Sequence, residues 1–258
     1  MTNDDITPDD TTPGDATPDD TPGDATPGDT TPSPGPSALG SLQELARSSA
    51  ELAPGLEHVE IYTPQGLLSV FVHGARDGSA PRAAVVTCGG AIGGVLGPGH
   101  ALFHVLGTMW PDRGVAVYRV GYRIPNDLDR CAHDVACAVE MAIAAGAERV
   151  VVMGHSFGGA VAVRVAVVMT SEVHGVVTFA TQSAGCEVAG ALAGRPLLLF
   201  HGDRDELLPL QSSEMVRMIA GSGELVVLPG DGHLLGRSDD VMLERLDEWL
   251  PEALGLPG

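Results

Sequence analysis

The chain has 258 residues, 44% of them hydrophobic, enough to build one sizeable core. Its formal net charge is −20, and nine aspartates with no Glu, Lys or Arg fall within residues 1–37, which leaves −11 on residues 38–258. That balance excludes a basic nucleic-acid surface and attraction to anionic membranes.

Residues 1–37 repeat a Thr-Pro-x-Asp unit, as in Thr7-Pro8-Asp9-Asp10 and Thr12-Pro13-Gly14-Asp15. Such a stretch lacks the apolar surface needed to offset its ordering entropy, so a disordered acidic tail is expected, followed by one domain over 38–258. The start of the chain carries neither basic residues nor an apolar run, so a secretory signal is not expected and the cytoplasm is. Cys88, Cys131, Cys137 and Cys186 show no C-x-x-C pair or zinc-like spacing and are expected as buried free thiols.

Ser37 is placed to cap a short helix whose apolar face is Leu39, Leu42 and Leu45, ended by Pro54-Gly55. Two strands, Leu56 to Tyr62 and Leu67 to His73, are joined by the turn Thr63-Pro64-Gln65-Gly66. From Ala83 onward, strands and helices alternate. A short strand to Thr87 leads into the loop Cys88-Gly89-Gly90-Ala91-Ile92-Gly93-Gly94 and a helix from about Gly99 to Trp110. The strand Val115 to Val120 precedes a helix with Leu128, Cys131, Val135, Val139 and Ala142 at helical spacing. Further strands are read at Val150 to Met153, Val173 to Ala180, Leu197 to Phe200 and Glu224 to Leu228, with helices at Ala160 to Met169, Gln211 to Ala220 and Asp239 to Leu250. The longest apolar window, Val150 to Met169, contains His155, Ser156 and Arg164 and reads as strand, turn and helix, not as a membrane span. The pattern predicts an α/β class with a mostly parallel central sheet of about eight strands, helices on both faces and an antiparallel leading edge.

Chemistry concentrates at strand ends. Gly154-His155-Ser156-Phe157-Gly158 matches G-x-S-x-G between a strand and a helix, where a tight turn lifts the serine hydroxyl above the sheet. A serine needs a base, and the base an orienting acid. His201-Gly202-Asp203-Arg204-Asp205 follows one strand, and Asp231-Gly232-His233 follows the next. Both lie past carboxyl ends of parallel strands, where such sheets place their sites.

In these three stretches, taken in the order Ser156, Asp205, His233, the chain resembles the α/β-hydrolase superfamily over roughly Leu56 to Leu250. It looks most like the small, capless dienelactone-hydrolase-like members, but has Ser156 where dienelactone hydrolases proper carry a cysteine. The resemblance implies Ser156 as nucleophile, His233 as base and Asp205 as acid, with Asp203 the alternative acid. It also implies an oxyanion hole from the Phe157 amide and a second amide of the glycine-rich loop, Gly90 first and Ala91 second. The implied activity is cleavage of small esters or thioesters through an acyl-enzyme, without a metal or organic cofactor. Acyl transfer by the same residues and ligand binding without turnover are the alternatives. Only Thr181 to Pro196 separates two strands where lipid-handling members insert a cap, so a small, open pocket and short soluble substrates are expected. His155 is expected to pack sideways and His201 to be structural. His100 and His104 are spaced as a metal pair but lack a third ligand nearby.

Overall fold

The computed structural model describes residues 37–192 and 194–256, so the acidic tail, apart from Ser37, lies outside the described residues. Nine strands form one sheet in the order β1-β2-β3-β5-β4-β6-β7-β8-β9. These are β1 (Ala46–Ala53), β2 (Leu56–Thr63), β3 (Gly66–His73), β4 (Ala83–Cys88), β5 (Val115–Gly121), β6 (Arg149–His155), β7 (Val173–Phe179), β8 (Leu197–Gly202) and β9 (Glu224–Leu228). β1, β2 and β3 pair antiparallel, β3 meets β5 antiparallel, and every pairing from β5 through β9 is parallel. The middle of the sheet is covered on both sides. β4 is buried at every residue, and β6 at all but Arg149, which suits runs of valine with no polar alternation.

The helices divide between the two faces. One face carries α1 (Ala38–Ser41), α3 (Leu128–Ala144), α4 (Phe157–Val168) and α5 (Gln211–Ala220), packed around Val86, Val150 and Val152. The other carries α2 (Leu102–Met109) and α6 (Asp239–Ala253), whose Leu106, Leu246 and Leu250 pack on Val85, Val151 and Met153. Truncating a buried leucine here costs about 2–5 kcal/mol. α3 starts where the Asp127 side chain accepts from the Arg130 amide, and it buries Cys131, Val135, Val139 and Ala142. Among the described residues no helix is long and apolar enough to cross a membrane.

The leading edge differs from the expectation. The predicted helix stops at Ser41. Gln43 takes φ +54° and Leu45 is 70% exposed, so the Leu39-Leu42-Leu45 spacing is not one buried face. The following residues form β1, antiparallel to β2, and this strand brings the sheet to nine, not about eight. All of β1 is exposed, so it carries no hydrophobic alternation to betray it. The short α1 is pinned by Glu140 of α3, which accepts from the Ser37 hydroxyl (2.7 Å) and the Ala38 and Leu39 amides (2.7 and 2.8 Å).

Candidate active site

β6 ends at His155 and α4 begins at Phe157, which leaves Ser156 alone on the turn at φ +58°, ψ −118°. A non-glycine residue held there is strained, and the surroundings must impose the conformation. The Ser156 amide donates to the Phe179 carbonyl of β7 (2.8 Å), and the Ser156 carbonyl accepts from the Gly159 amide (3.0 Å). The motif glycines are steric requirements: a Cβ on Gly154 would strike the Gly158 carbonyl, and one on Gly158 the Gly89 carbonyl. Backbone therefore packs on backbone beneath the serine. α4 begins three residues earlier than the expected Ala160, at Phe157, and is almost wholly buried.

Asp205 and His233 come from the loops after β8 and β9. His233 Nδ1 donates to Asp205 Oδ2 at 2.8 Å. Asp205 Oδ1 accepts from the Leu207 and Leu208 amides, both at 2.8 Å. A second imidazole approaches the same carboxylate: His201 Nε2 lies 3.3 Å from Oδ2 and donates to the Leu208 carbonyl at 3.1 Å, while its Nδ1 accepts from the Ser213 hydroxyl at 2.7 Å. Burial works to raise the Asp205 pKa, but the Leu208 and Leu207 amides and His233 outweigh it and hold the carboxyl below its usual range. With Asp205 ionised, His233 must carry its proton on Nδ1, and Nε2 is left as the lone-pair nitrogen.

Ser156 and His233 line one cavity of ≈ 650 Å³ together with the loop Gly89–Gly97, His155, Leu207 and Leu234. Among the described residues no hydrogen bond joins the Ser156 hydroxyl to His233; they share the cavity wall, whereas Asp205 and His233 are directly paired. Gly90 sits beside the serine, since a Cβ there would lie 3.7 Å from the Ser156 Cβ. Its carbonyl accepts from the Gly93 amide (2.9 Å), closing a tight turn that leaves Ala91 exposed on the cavity wall. Tyr122 anchors the loop base by donating to the Gly89 carbonyl (3.0 Å). The other end of the loop is laced to the histidine loop. The Gly99 amide donates to the Leu234 carbonyl (2.6 Å), and Asp239 at the start of α6 accepts from the His100 amide (3.0 Å) and pairs with the His100 ring.

Other singled-out residues separate. His155 does not simply pack sideways: its Nε2 donates to the His233 carbonyl (3.0 Å), and its ring centroid lies 5.0 Å from that of His233. Burial depresses its pKa to about 4, so it stands neutral. Asp203 accepts from the Gly230 amide (2.6 Å), tying two loops, while the imidazole is paired with Asp205. Burial pushes the Cys88 thiol up to about 12, which leaves it inert as a nucleophile. His100 precedes α2 and turns to Asp239, while His104 stacks edge-on with His73, so the i, i+4 pair does not converge. Among the described residues of the Thr181 to Pro196 segment there is one brief 3₁₀ turn, Glu187–Leu192, and no cap. The cavity is nevertheless large, because the glycine-rich loop walls it. Sequence reasoning missed the contacts of His201 and His155. The signal for both was a histidine at the last buried positions of a parallel strand, next to a chemistry-bearing loop.

No family model and no curated protein matches the sequence. The structure matches Est1E from Butyrivibrio proteoclasticus with a TM-score of 0.64 at 16% identity, covering 77% of this chain and 99% of that one. It matches a dienelactone hydrolase from Anabaena variabilis with a TM-score of 0.64 at 15% identity, covering 77% and 98%. A thermophilic esterase from the planctomycete Thermogutta terrifontis, solved also with propionate bound, gives 0.54 at 18%, covering 72% and 87%. The chain has the fold of the α/β hydrolases.

Proposed function

We propose that this chain is a serine hydrolase of small esters or thioesters. The observation that supports it most is the Asp205–His233 pair, whose imidazole lines the cavity that also holds Ser156 on its strained turn. In this reading the Ser156 hydroxyl attacks the acyl carbon as its proton passes to His233 Nε2. The developing oxyanion is met by the Phe157 amide, at the first position of α4, and by the Gly90 amide, with Ala91 the neighbouring alternative. One such donor is worth about 3 kcal/mol in the transition state. His233 returns the proton to the leaving alcohol or thiol. Water, deprotonated by the same nitrogen, then attacks the acyl-enzyme and releases the acid and Ser156. Asp205 stays ionised throughout and holds the tautomer.

Est1E with ferulic acid bound and the planctomycete esterase with propionate are consistent with small carboxylic esters as substrates. A fluorophosphonate probe tests the reading. Stoichiometric labelling of the wild type, none of Ser156→Ala, and release of free acid from p-nitrophenyl acetate are expected. An unlabelled wild-type protein would show that Ser156 is no activated nucleophile.

A further inference from the structure

The cavity at Ser156 is apolar and carries no formal charge. Its side-chain surface comes from Ala91, Ile92, Val95, Leu96, Leu207 and Leu234, and the remaining wall is glycine, Ser156, His155 and His233. Neither an acid nor an Arg lines it. Four of these residues stay open to solvent around the mouth: Ile92 at 97%, Leu207 at 68%, Leu234 at 66% and Leu96 at 54%. Single exposed leucines need no explanation, but four on the rim of one cavity mark a surface that a ligand covers.

Beyond the groups the proposed reaction uses, the polar side chain left in the wall is His155. His155 spends its Nε2 proton on the His233 carbonyl, and its buried ring is uncharged. The charge behind His233 is the Asp205 carboxylate. An anionic substrate group would shed its water against apolar walls, near a like charge, in a chain of net charge −20. A volume of ≈ 650 Å³ lies in the range of sites that enclose drug-sized molecules, well beyond an acetyl group.

Resting on the hydrolase reading, we propose that the substrate is an uncharged ester whose apolar chain or ring covers Ile92, Leu96, Leu207 and Leu234, and that esters bearing a carboxylate on that chain are rejected. Two esters of equal chain length test it: p-nitrophenyl hexanoate and the p-nitrophenyl half-ester of adipic acid, which end in a methyl group and a carboxylate. In wild-type protein, kcat/KM should favour the hexanoate by about 10²-fold. The preference should persist at high salt, where long-range repulsion by the net charge is screened. Leu207→Arg or Leu234→Arg should narrow the ratio by about tenfold, as a cation on the rim pairs with the adipate carboxylate. Equal rates, a preference for adipate, or a ratio untouched by both rim variants would overturn the proposal. Calorimetric titration of the same pair into Ser156→Ala reads the preference without turnover. A protein that neither reacts with fluorophosphonate nor turns over p-nitrophenyl acetate, yet binds the hexanoate more tightly, keeps the pocket assignment and loses the hydrolase. A dimer that dissociates when Leu207 or Leu234 is charged would instead assign the rim to a second copy and also overturn the proposal.

Discussion

Asp205→Asn changes one atom of a carboxylate that accepts from three N–H groups: the Leu207 and Leu208 amides on Oδ1 and His233 Nδ1 on Oδ2. An asparagine amide is half donor. Turned one way, its NH2 faces two backbone donors; turned the other, it faces the His233 N–H. The backbone donors cannot change, so the NH2 goes to His233. His233 then presents a lone pair on Nδ1 and its proton on Nε2, the wrong tautomer to accept from Ser156. The equivalent change in serine proteases lowers kcat by about 10⁴, or ~5.4 kcal/mol at 1.36 kcal/mol per tenfold. We expect a loss of that order on p-nitrophenyl acetate, with a folded protein by circular dichroism. Asp203→Asn is the control. Its carboxylate accepts a single turn amide, a role an asparagine carbonyl can keep, so kcat should change by less than about threefold. An Asp205→Asn enzyme within tenfold of wild type, or a greater loss in Asp203→Asn, would refute the assignment of the acid.

Ser156→Ala and His233→Ala should each lower kcat by about 10³-fold or more without unfolding the protein, as read by steady-state rates and thermal melts. His201→Leu removes the imidazole that lies 3.3 Å from Asp205 and strands the Ser213 hydroxyl. It should lower kcat by about tenfold with KM unchanged and also lower the melting temperature; an unaltered kcat would reduce His201 to packing. Gly158→Ala should yield no folded, active protein, because its Cβ has no space against the Gly89 carbonyl; a soluble variant with wild-type kcat would contradict the packing of the turn. The carboxyls of Asp205 and Glu140 are held low, in each case because accepted hydrogen bonds outweigh the raising effect of burial. A folded pKa below the unfolded one means that their stabilisation is complete at higher pH and is lost as pH falls through the carboxylate range. The urea midpoint should therefore fall below about pH 5, and less steeply in Glu140→Gln.

The parallel half of the sheet was legible because its strands are short, largely apolar runs bounded by turn residues, as at Val150–Met153 and Leu197–Phe200. α5 and β9 fall at the expected residues, Gln211–Ala220 and Glu224–Leu228. β1 was not legible. Its hydrogen bonds to β2 create it, and Ala46–Ala53 faces solvent throughout, so selection for burial left no periodic trace. The pairing of Asp205 with His233 was foreseeable because two loops end on adjacent strands, β8 and β9. The contact of His201 with Asp205 was not, since it depends on the chain doubling back so that residues four apart meet at one oxygen. Nor was the apolar rim, because Ile92, Leu207 and Leu234 belong to three loops that meet only in space.

The lacing of the glycine-rich loop to the histidine loop has a consequence for how the site opens. The Gly99 amide ends on the Leu234 carbonyl, next to His233, and Asp239 fastens the same stretch to the first turn of α6. Neither loop can lift without breaking bonds to the other, so the glycine-rich wall of the cavity and the loop that carries His233 form one cooperative opening unit. Deuterium uptake at Gly99 should report the same opening as uptake at the loop around His233, and fraying of α6 should quicken both. On this reading α6, packed on the opposite face of the sheet from α4, is expected to set how often the cavity wall opens.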